Sequence, residues 1–331
     1  MLVEKVSSIQ RSQKQPSILV IGDLMIDHYI WGDATRLSPE APVPIVNVKN
    51  ESTTLGGAAN VAQNLVALGA KVTLSGVIGD DTFGARLKEI MTHEGIATDA
   101  IVTDNQRPTT VKTRVVAGSH QLVRVDREVT DPVHRELADE LLSKLDSYIA
   151  AADIVLFSDY GKGLFSEELT QRLIKLANSK QKKVIVDPKG LNYEKYKGSY
   201  LIKPNRKELA EAAKTEKIKN IDDLQKAAKT IIGQTDAEYL VVTLSEEGMV
   251  ILDAITYKLL PVKATAVFDV TGAGDTVLAT MAYFIASGLD IEEACELANH
   301  AAAIVIRRVG SASTTIEEII EDIEIDLNSK H

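Results

Sequence analysis

Apolar residues fall into two alternating patterns along this chain: short continuous runs, and longer runs spaced by three or four residues. Residues 18–21 form a continuous apolar run that ends at a Gly-Asp pair, which is typical of a buried strand. Residues 57–68 place Val61, Leu65 and Leu68 on one face, which predicts a helix. The same patterns predict strands at 72–78, 154–157 and 184–186, and helices around 83–91, 132–150, 167–178 and 277–285.

This alternation predicts the fold class. Short strands separated by helices of this length indicate an α/β protein with a mostly parallel sheet and helices on both faces. Residues 29–49 and 110–126 break the rhythm, because Pro, Val, Thr and turn residues there suit antiparallel strands. They form either two surface hairpins or one small antiparallel β lid over the carboxyl ends of the parallel strands, where α/β proteins bind ligands.

The pattern predicts one domain at residues 17–325, with lid segments inserted at about 28–50 and 108–127. Residues 1–16 are polar and have no apolar centre, so we expect a flexible leader and no signal peptide. Residues 326–331 are expected to form a tail.

Composition excludes several classes of protein. Of the 331 residues, 45% are hydrophobic and 25% charged, as in ordinary globular proteins. The net charge of −10 disfavours a nucleic-acid partner, whose phosphates need a basic face. Cys295 is the single cysteine, so no internal disulfide can form and a cytoplasmic location is favoured. No apolar run approaches the roughly 20 residues of a membrane span.

The most informative local segment is Asp-Val-Thr-Gly-Ala-Gly-Asp at residues 269–275, directly before an apolar helix. Gly272, Ala273 and Gly274 are small, so a ligand can approach their amides where the helix begins, and the unpaired N–H groups favour an anion. Asp275 lies in the first turn, where it is either a reactive carboxylate or a residue that stabilises the helix N-terminus.

A second glycine-rich segment opens the helix predicted at 57–68. Gly56 and Gly57 form either a tight structural loop or a surface approached by a polyol, with Asn60 and Asp27 exchanging hydrogen bonds with its hydroxyls. Asp27 is expected at the carboxyl edge of the parallel sheet. The sequence lacks a P-loop, a G-x-G-x-x-G fingerprint, a G-x-S-x-G elbow and histidines at metal-ligand spacing, which disfavours a P-loop enzyme, a dehydrogenase, a hydrolase and a metalloenzyme.

Four segments together resemble the ribokinase-like (pfkB-type) carbohydrate kinases over essentially the whole chain. Gly56-Gly57-x-x-Asn60 is similar to the first signature of that family, and the segment 269–275 is similar to the second. Between them, residues 203–208 (Lys-Pro-Asn-Arg-Lys-Glu) and 243–248 (Thr-Leu-Ser-Glu-Glu-Gly) resemble its nucleotide-side segments.

The resemblance implies ATP-dependent phosphorylation of a sugar hydroxyl, with Asp275 as general base and Gly272, Ala273 and Gly274 as the anion hole. It implies that Asn205 and Glu208 order Mg²⁺ and its waters, within a segment that includes Arg206 and Lys207. It also implies a nucleotide site lined by Thr243, Ser245, Gly248 and Asn299. The family often holds a monovalent cation such as K⁺, and Asp269 and Thr271 match two of its ligand positions.

Within that family, segments 36–45, 108–126 and 158–163 resemble heptose 7-phosphate kinases. This implies phosphorylation of D-glycero-D-manno-heptose 7-phosphate at its anomeric hydroxyl, giving the 1,7-bisphosphate for the inner core of lipopolysaccharide. A phosphorylated substrate needs cations, and the lid segments supply four: Arg36, Lys112, Arg114 and Arg124. Lys112 and Arg124 are the candidate phosphate ligands, the alternative being that the lid charges are merely solvated.

The chain ends at His331 and has no room for the adenylyltransferase domain fused to many relatives, so a stand-alone kinase is expected. Exposed lid strands favour a homodimer, because an open edge can pair with another strand. The nearest alternative function is a kinase of the same family that acts on a free sugar or nucleoside. A nucleotide-binding regulatory protein without turnover is disfavoured by the presence of Asp275.

Overall fold

A computed structural model describes residues 2–12, 14–262 and 267–328. The strands in these ranges are β1 Ser17–Gly22, β2 Leu24–Leu37, β3 Pro44–Gly57, β4 Lys71–Ser75, β5 Val77–Gly79, β6 Val102–Asp104, β7 Thr110–Ala117, β8 His120–Arg127, β9 Ile154–Ser158, β10 Lys183–Asp187, β11 Leu201–Ile202, β12 Tyr239–Thr243, β13 Met249–Leu252 and β14 Tyr257–Leu260. The helices are α1 Leu2–Ser12, α2 Ala58–Ala67, α3 Thr82–His93, α4 Arg135–Ala151, α5 Glu167–Ser179, α6 Arg206–Ala212, α7 Ile221–Thr235, α8 Ala273–Ala286, α9 Ile291–Val305 and α10 Ile316–Asn328.

The main sheet has eight strands in the order β14-β13-β12-β11-β10-β9-β1-β4. The strands from β12 to β4 are parallel, and β13 and β14 are antiparallel. Alternate side chains of β1 enter two hydrophobic cores: Ile18 and Val20 pack with α2, α8 and α9, whereas Leu19 and Ile21 pack with α4, α5 and α7. The strand is therefore apolar throughout because both of its faces are buried. This confirms the predicted fold class.

The two segments that break the helical rhythm meet in one four-stranded sheet, in the order β3-β2-β7-β8. We call this sheet the lid. Each segment forms an antiparallel hairpin, but the two hairpins join through parallel pairing of β2 with β7. The two segments thus form one lid sheet and not two separate surface hairpins. The central strands of this sheet, β2 and β7, are parallel. Its first hairpin is longer than expected and runs from Leu24 to Gly57.

Three predicted boundaries are wrong. The leader expected to be flexible contains α1, where the Val6 side chain is 0% exposed and packs in the core that also contains α10 residues. The expected tail begins inside α10, which continues to Asn328, while residues 329–331 lie outside the described ranges. The strand expected at 72–78 divides at Gly76, where a Cβ would lie 2.3 Å from the Gly22 carbonyl oxygen.

Among the described residues, no helix has the length and hydropathy needed to cross a bilayer.

Candidate active site

The N-terminus of α8 forms the centre of the site. Gly272 precedes the helix with φ of 78°, a left-handed conformation that favours glycine. The Asp269 carboxylate accepts hydrogen bonds from the Thr271 amide and hydroxyl and from the Gly310 amide, which fixes the turn leading into the helix. A Cβ at Gly274 would meet only the Lys203 Nζ, 4.0 Å away, so open space adjoins this helix end. The predicted glycine-containing turn is present directly before α8.

Asp275 lies in the first turn of α8 and is 7% exposed. Its Oδ2 accepts a hydrogen bond from Asn60 Nδ2 at 2.6 Å, and its Oδ1 accepts one from the Tyr160 hydroxyl at 2.6 Å. Burial raises the pKa of Asp275 above its ordinary value, while these two hydrogen bonds and the nearby Lys203 ammonium lower it. The carboxylate is therefore held in place by two neutral donors, which leaves it free to accept a proton.

The glycine-rich segment brings Asn60 to this carboxylate. Gly57 has φ of 57°, and a Cβ there would lie 2.5 Å from the Asp23 carbonyl oxygen, so the chain enters α2 through a turn that requires glycine. A Cβ at Gly56 would lie 2.5 Å from an oxygen of Asp27, so these two residues are neighbours. The side chain of Asn60, expected to contact a sugar, donates instead to Asp275.

The location predicted for Asp27 is wrong. The residue lies within lid strand β2, three residues beyond the strand's first position, and its carboxylate pairs with Arg114 of β7. The parallel pairing of β2 with β7 places Asp27 beside Lys112 in the register, which brings Arg114 within reach. The charge of Asp27 still acts on the site, because it raises the pKa of Asp275.

Sequence reasoning missed the buried pair formed by Lys203 and Asp187. Lys203 is 4% exposed, and its Nζ lies 3.0 Å from Asp187 Oδ1 at the carboxyl end of β10. Burial raises the pKa of Asp187 to about 6 against the opposing effect of Lys203. Lys203 opens the nucleotide-side segment 203–208, so its position in that segment was the available signal.

Asn205 and Glu208 form a capping box at the start of α6. The Asn205 side chain accepts from the Glu208 amide at 2.9 Å, and the Glu208 carboxylate accepts from the Asn205 amide at 3.0 Å. The other Glu208 oxygen accepts from Lys189 Nζ at 2.9 Å. Both residues line the same cleft as Asp275, so the structure brings them to the site while also giving them a structural role.

The adjacent residues of this segment point elsewhere. Arg206 pairs with Glu247 at 2.7 Å, which ties α6 to the 3-10 turn at Ser245–Glu247. The Lys207 side chain is 85% exposed and lies 3.7 Å from Glu211, one turn along the same helix. The structure therefore does not bring Arg206 or Lys207 to the cleft.

The remaining predicted nucleotide residues are only partly brought together. Thr243 lines the cleft beside Asn205, and Ser245 is exposed in the turn that follows. Gly248 has φ of 95°, and a Cβ there would lie 2.1 Å from the Leu260 carbonyl oxygen, so its role here is to allow two chain segments to approach. The Asn299 side chain is buried and donates to the Pro261 carbonyl, which anchors the segment after β14.

Three of the four lid cations are paired with lid carboxylates: Lys112, Arg114 and Arg124. Arg124 donates two hydrogen bonds of 2.9 Å to Asp126 on the exposed strand β8. The Lys112 ammonium is largely buried and lies 3.7 Å from both Asp126 and Glu128, and Glu128 also accepts from Lys162 Nζ at 2.8 Å. Lys112 and Arg124, the candidate phosphate ligands, are thus members of a charge network. The register of β7 with β8, which the sequence does not reveal, creates it.

A cleft of about 220 Å³ lies between the ends of the parallel strands and the N-terminus of α8, and it joins Asp275 to Asn205 and Glu208. Its lining includes cations, carboxylates and glycine backbone: Lys189, Lys203, Asp187, Glu208, Gly272 and Gly274. Tyr160 also lines it and was missed, although the segment 158–163 that contains it stood out in the sequence. This arrangement can hold a phosphate chain beside a buried carboxylate.

Comparison with known proteins supports this interpretation. The family model of pfkB carbohydrate kinases matches residues 15–318. The bifunctional protein HldE of Helicobacter hepaticus is 47% identical over 310 residues, 94% of this chain and 64% of that protein. HldE of Aliarcobacter butzleri is 46% identical over 309 residues, 93% of this chain and 64% of that protein. The chain thus spans less than two thirds of these relatives, and the stand-alone kinase stays a prediction.

Solved structures agree on the fold. Ribokinase of Arabidopsis thaliana, solved with ribose and ATP, superposes with a TM-score of 0.74 at 19% identity, over 94% of this chain and 99% of the other. Phosphofructokinase-2 of Escherichia coli, solved with potassium, gives a TM-score of 0.77 at 19% identity, with 94% and 99% covered. Since the family model and the relatives cover nearly the whole chain, the protein belongs to the pfkB family of carbohydrate kinases and has a ribokinase-like fold.

Proposed function

We propose that this protein is an ATP-dependent kinase that phosphorylates the anomeric hydroxyl of D-glycero-D-manno-heptose 7-phosphate and releases the 1,7-bisphosphate. Its family supports the reaction class, and its similarity to HldE proteins supports a heptose acceptor. The reaction would take place in the cytoplasm and supply the heptose of the lipopolysaccharide inner core.

One observation carries the reaction type: a buried carboxylate and an anion-binding helix N-terminus lie within the same turn of α8. Asp275 follows Gly272, Ala273 and Gly274 directly, so the group that takes a proton and the amides that stabilise negative charge are held together by one helix. The Lys203 ammonium faces the same turn from the opposite side of the cleft.

Asp275 takes the proton of the anomeric hydroxyl, whose oxygen then forms a bond to the γ-phosphorus of ATP. The bond from that phosphorus to the β,γ-bridging oxygen breaks, and ADP leaves with the electron pair. The amides at Gly272–Gly274 stabilise the charge on the transferred phosphoryl group, so most of the rate enhancement comes from positioning and electrostatics.

The cleft residues fit a magnesium nucleotide. Carboxylate oxygens are the ligands that Mg²⁺ prefers, and Glu208 would hold it through water while Asn205 stabilises the helix turn that presents this carboxylate. Mg²⁺, when bound, would offset the charge of the phosphate chain. Lys189 and Lys203 supply further positive charge along the cleft wall.

A monovalent cation such as K⁺ would bind at the turn that precedes α8. Asp269 and Thr271 lie together there, as the family resemblance implies, and oxygen atoms of both are close to the helix N-terminus. Phosphofructokinase-2, a neighbour in fold, was solved with potassium.

The lid would hold the 7-phosphate of the substrate, chiefly through Lys112. Its ammonium lies 3.7 Å from two carboxylates, which is longer than a hydrogen bond, so a phosphate oxygen can compete for it. Arg124 is held by two direct hydrogen bonds to Asp126 and is half exposed, so it should contribute less.

The lid also supports the expected homodimer. Strand β8 lies at one edge of the lid and is exposed along its length, including Leu122, Val123 and Val125. An open apolar edge of this kind is a template for pairing with a second chain. Light scattering at micromolar concentration tests this, since a monomeric mass would contradict it.

The experiment that tests the proposed function is ATP turnover against a panel of acceptors: the heptose 7-phosphate, the free heptose, ribose, fructose 6-phosphate and a nucleoside. We expect kcat/KM for the heptose 7-phosphate to exceed that for every other acceptor by at least about tenfold, the effect of one charge-assisted contact. A higher value for free sugar or nucleoside would favour the alternative, another kinase of this family.

A further inference from the structure

Tyr160 contacts the centre of the site but has no role in the reaction described so far. Its hydroxyl donates to Asp275 Oδ1 at 2.6 Å, while Asn60 donates to the other oxygen at the same distance. We propose that Tyr160 is a positioning residue that, together with Asn60, fixes the orientation of the Asp275 carboxylate and stabilises its charged form. The inference rests on the proposed function, because it concerns the base of that reaction.

The loop around Tyr160 is held by two buried carboxylates, those of Asp23 and Asp159. Asp23 Oδ2 accepts from the amides of Tyr160 at 2.8 Å and Lys162 at 3.1 Å. Asp159 accepts from the Gly161 amide at 2.7 Å, and its other oxygen accepts from Lys195. Burying two carboxylates is costly unless they are well hydrogen-bonded, so this arrangement indicates that the position of the tyrosine matters.

A further hydrogen bond strengthens the anchor at Asp159. The Tyr196 hydroxyl donates to the Asp159 oxygen that Lys195 also contacts, at 2.6 Å. The Asp159 amide itself donates to the Asp187 carbonyl at the end of β10. The loop is thus attached to the main sheet on the side of the cleft that faces α8.

Charged groups near Asp275 also change its pKa, and the Tyr160 hydrogen bond acts in addition to them. Lys203 favours the charged carboxylate, whereas Asp27 disfavours it. Burial raises the pKa of Tyr160 well above its ordinary value, and the charges of Asp275 and Asp187 add to this, so the hydroxyl stays protonated and remains a donor. Tyr160 and Asn60 are the two side chains that hydrogen-bond the carboxylate within the described residues. A hydrogen bond to the charged form of a carboxylate lowers its pKa, so loss of the tyrosine hydroxyl should raise it.

The test is Tyr160→Phe, which removes the hydroxyl and keeps the ring. We expect the acidic limb of the pH profile of kcat/KM to move upward by about 1–2 pH units, the usual effect of a hydrogen bond to a charged group. The KM for ATP should stay unchanged. In the ligand-free protein, the Asp275 carboxyl carbon, observed by ¹³C NMR, should titrate with a pKa raised by the same amount.

Tyr193→Phe is the matched control, because the Tyr193 hydroxyl is buried and has no hydrogen-bond partner among the described residues. It should leave both the pH profile and the Asp275 titration unchanged. If Tyr160→Phe also leaves both unchanged, the inference is overturned. If it fails to fold, the wild-type protein decides: an exchange-protected Tyr160 hydroxyl proton should be visible by NMR and lost in Asp275→Ala, which removes both acceptor oxygens, and its absence from the wild-type protein would overturn the inference.

The outcomes separate this inference from the proposed function. If the wild-type protein does not phosphorylate any acceptor in the panel, the proposed function fails, but the ¹³C titration still tests whether Tyr160 stabilises the Asp275 carboxylate. If the wild-type protein phosphorylates the heptose 7-phosphate and neither the acidic limb nor the titration moves in Tyr160→Phe, only the inference fails.

Discussion

At the scale of single residues, the site depends on one buried carboxylate whose environment favours proton uptake. Burial raises the pKa of Asp275, and hydrogen bonds from Tyr160 and Asn60 oppose that rise. The group is therefore a stronger base than a solvated carboxylate and still has an ionised form that two donors stabilise. A general base is most effective when its pKa approaches the operating pH.

Asp275→Asn should lower kcat by roughly 10²–10⁴-fold, since the amide cannot take the proton, and leave the KM for ATP nearly unchanged. Steady-state kinetics with the preferred acceptor gives both values, and thermal unfolding checks that the variant folds. Turnover near that of the wild-type protein would show that another group takes the proton.

Lys112→Met should raise the KM for the heptose 7-phosphate by roughly 10–150-fold, the effect of about 1.5–3 kcal/mol from a shielded charge-assisted contact. Arg124→Met should have a smaller effect, because its guanidinium is half exposed and already bound to Asp126. The KM for ATP and the weak use of free heptose should not change in either variant.

Lys49→Met is the control for these lid substitutions, because Lys49 is exposed on the lid and pairs only loosely with Asp33, at 3.4 Å. Equal losses with phosphorylated and free heptose would mean that Lys112 supports lid folding. No loss with either acceptor would place the 7-phosphate elsewhere.

At the scale of elements, the loop after β9 depends on the Asp23 carboxylate, whose charged form is destabilised by burial. Asp23 has its pKa raised from 3.8 to about 6, because burial and the charge of Asp159 outweigh the amides that it accepts from. The folded protein thus binds this proton more tightly than the unfolded chain. The contribution of Asp23 protonation to the free energy of unfolding is largest below pH 4 and falls as the pH rises through 6.

Asp23→Asn removes this titration while keeping an oxygen that accepts from the Tyr160 and Lys162 amides. We compare the free energy of unfolding of the wild-type protein with that of the variant at each pH. The wild-type value minus the variant value should be about 3 kcal/mol smaller above pH 6 than below pH 4, given 1.36 kcal/mol per pKa unit. Denaturant unfolding at several pH values measures this difference. A difference independent of pH would contradict the assigned role of Asp23.

Local patterns predicted β1, β9, β10, the lid strands, and helices α2 to α5 and α8, because strand and helix periods are properties of neighbouring residues. The sequence could not predict contacts that join distant segments. Asn60 and Asp275 are 215 positions apart, and the hydrogen bond between them exists only because α2 packs against α8. The pairing of Lys112 with Asp126 depends likewise on the register of two lid strands. The helix α1 was not predicted because most of its residues are polar, and Val6 is its one buried residue.

At the scale of the whole molecule, the sheet brings the ends of its parallel strands to a cleft, α8 closes one wall, and the lid strands extend from the same edge. Asp187 ends β10, Thr243 ends β12, and the loop of Tyr160 follows β9, so three strands contribute to one site. Ligands of open α/β sheets bind at this edge. The lid begins directly after β1, which places its cations on the same side as the reacting groups.

The position of the new phosphate in the product tests the proposed reaction directly. The protein is incubated with ATP, Mg²⁺ and D-glycero-D-manno-heptose 7-phosphate, and the product is examined by ³¹P NMR with coupling to protons. We predict a second phosphomonoester signal coupled to the anomeric proton, formed in step with ADP and appearing at least about 100-fold more slowly with Asp275→Asn. A phosphate on any other carbon, or ADP formed together with inorganic phosphate alone, would contradict the proposed reaction.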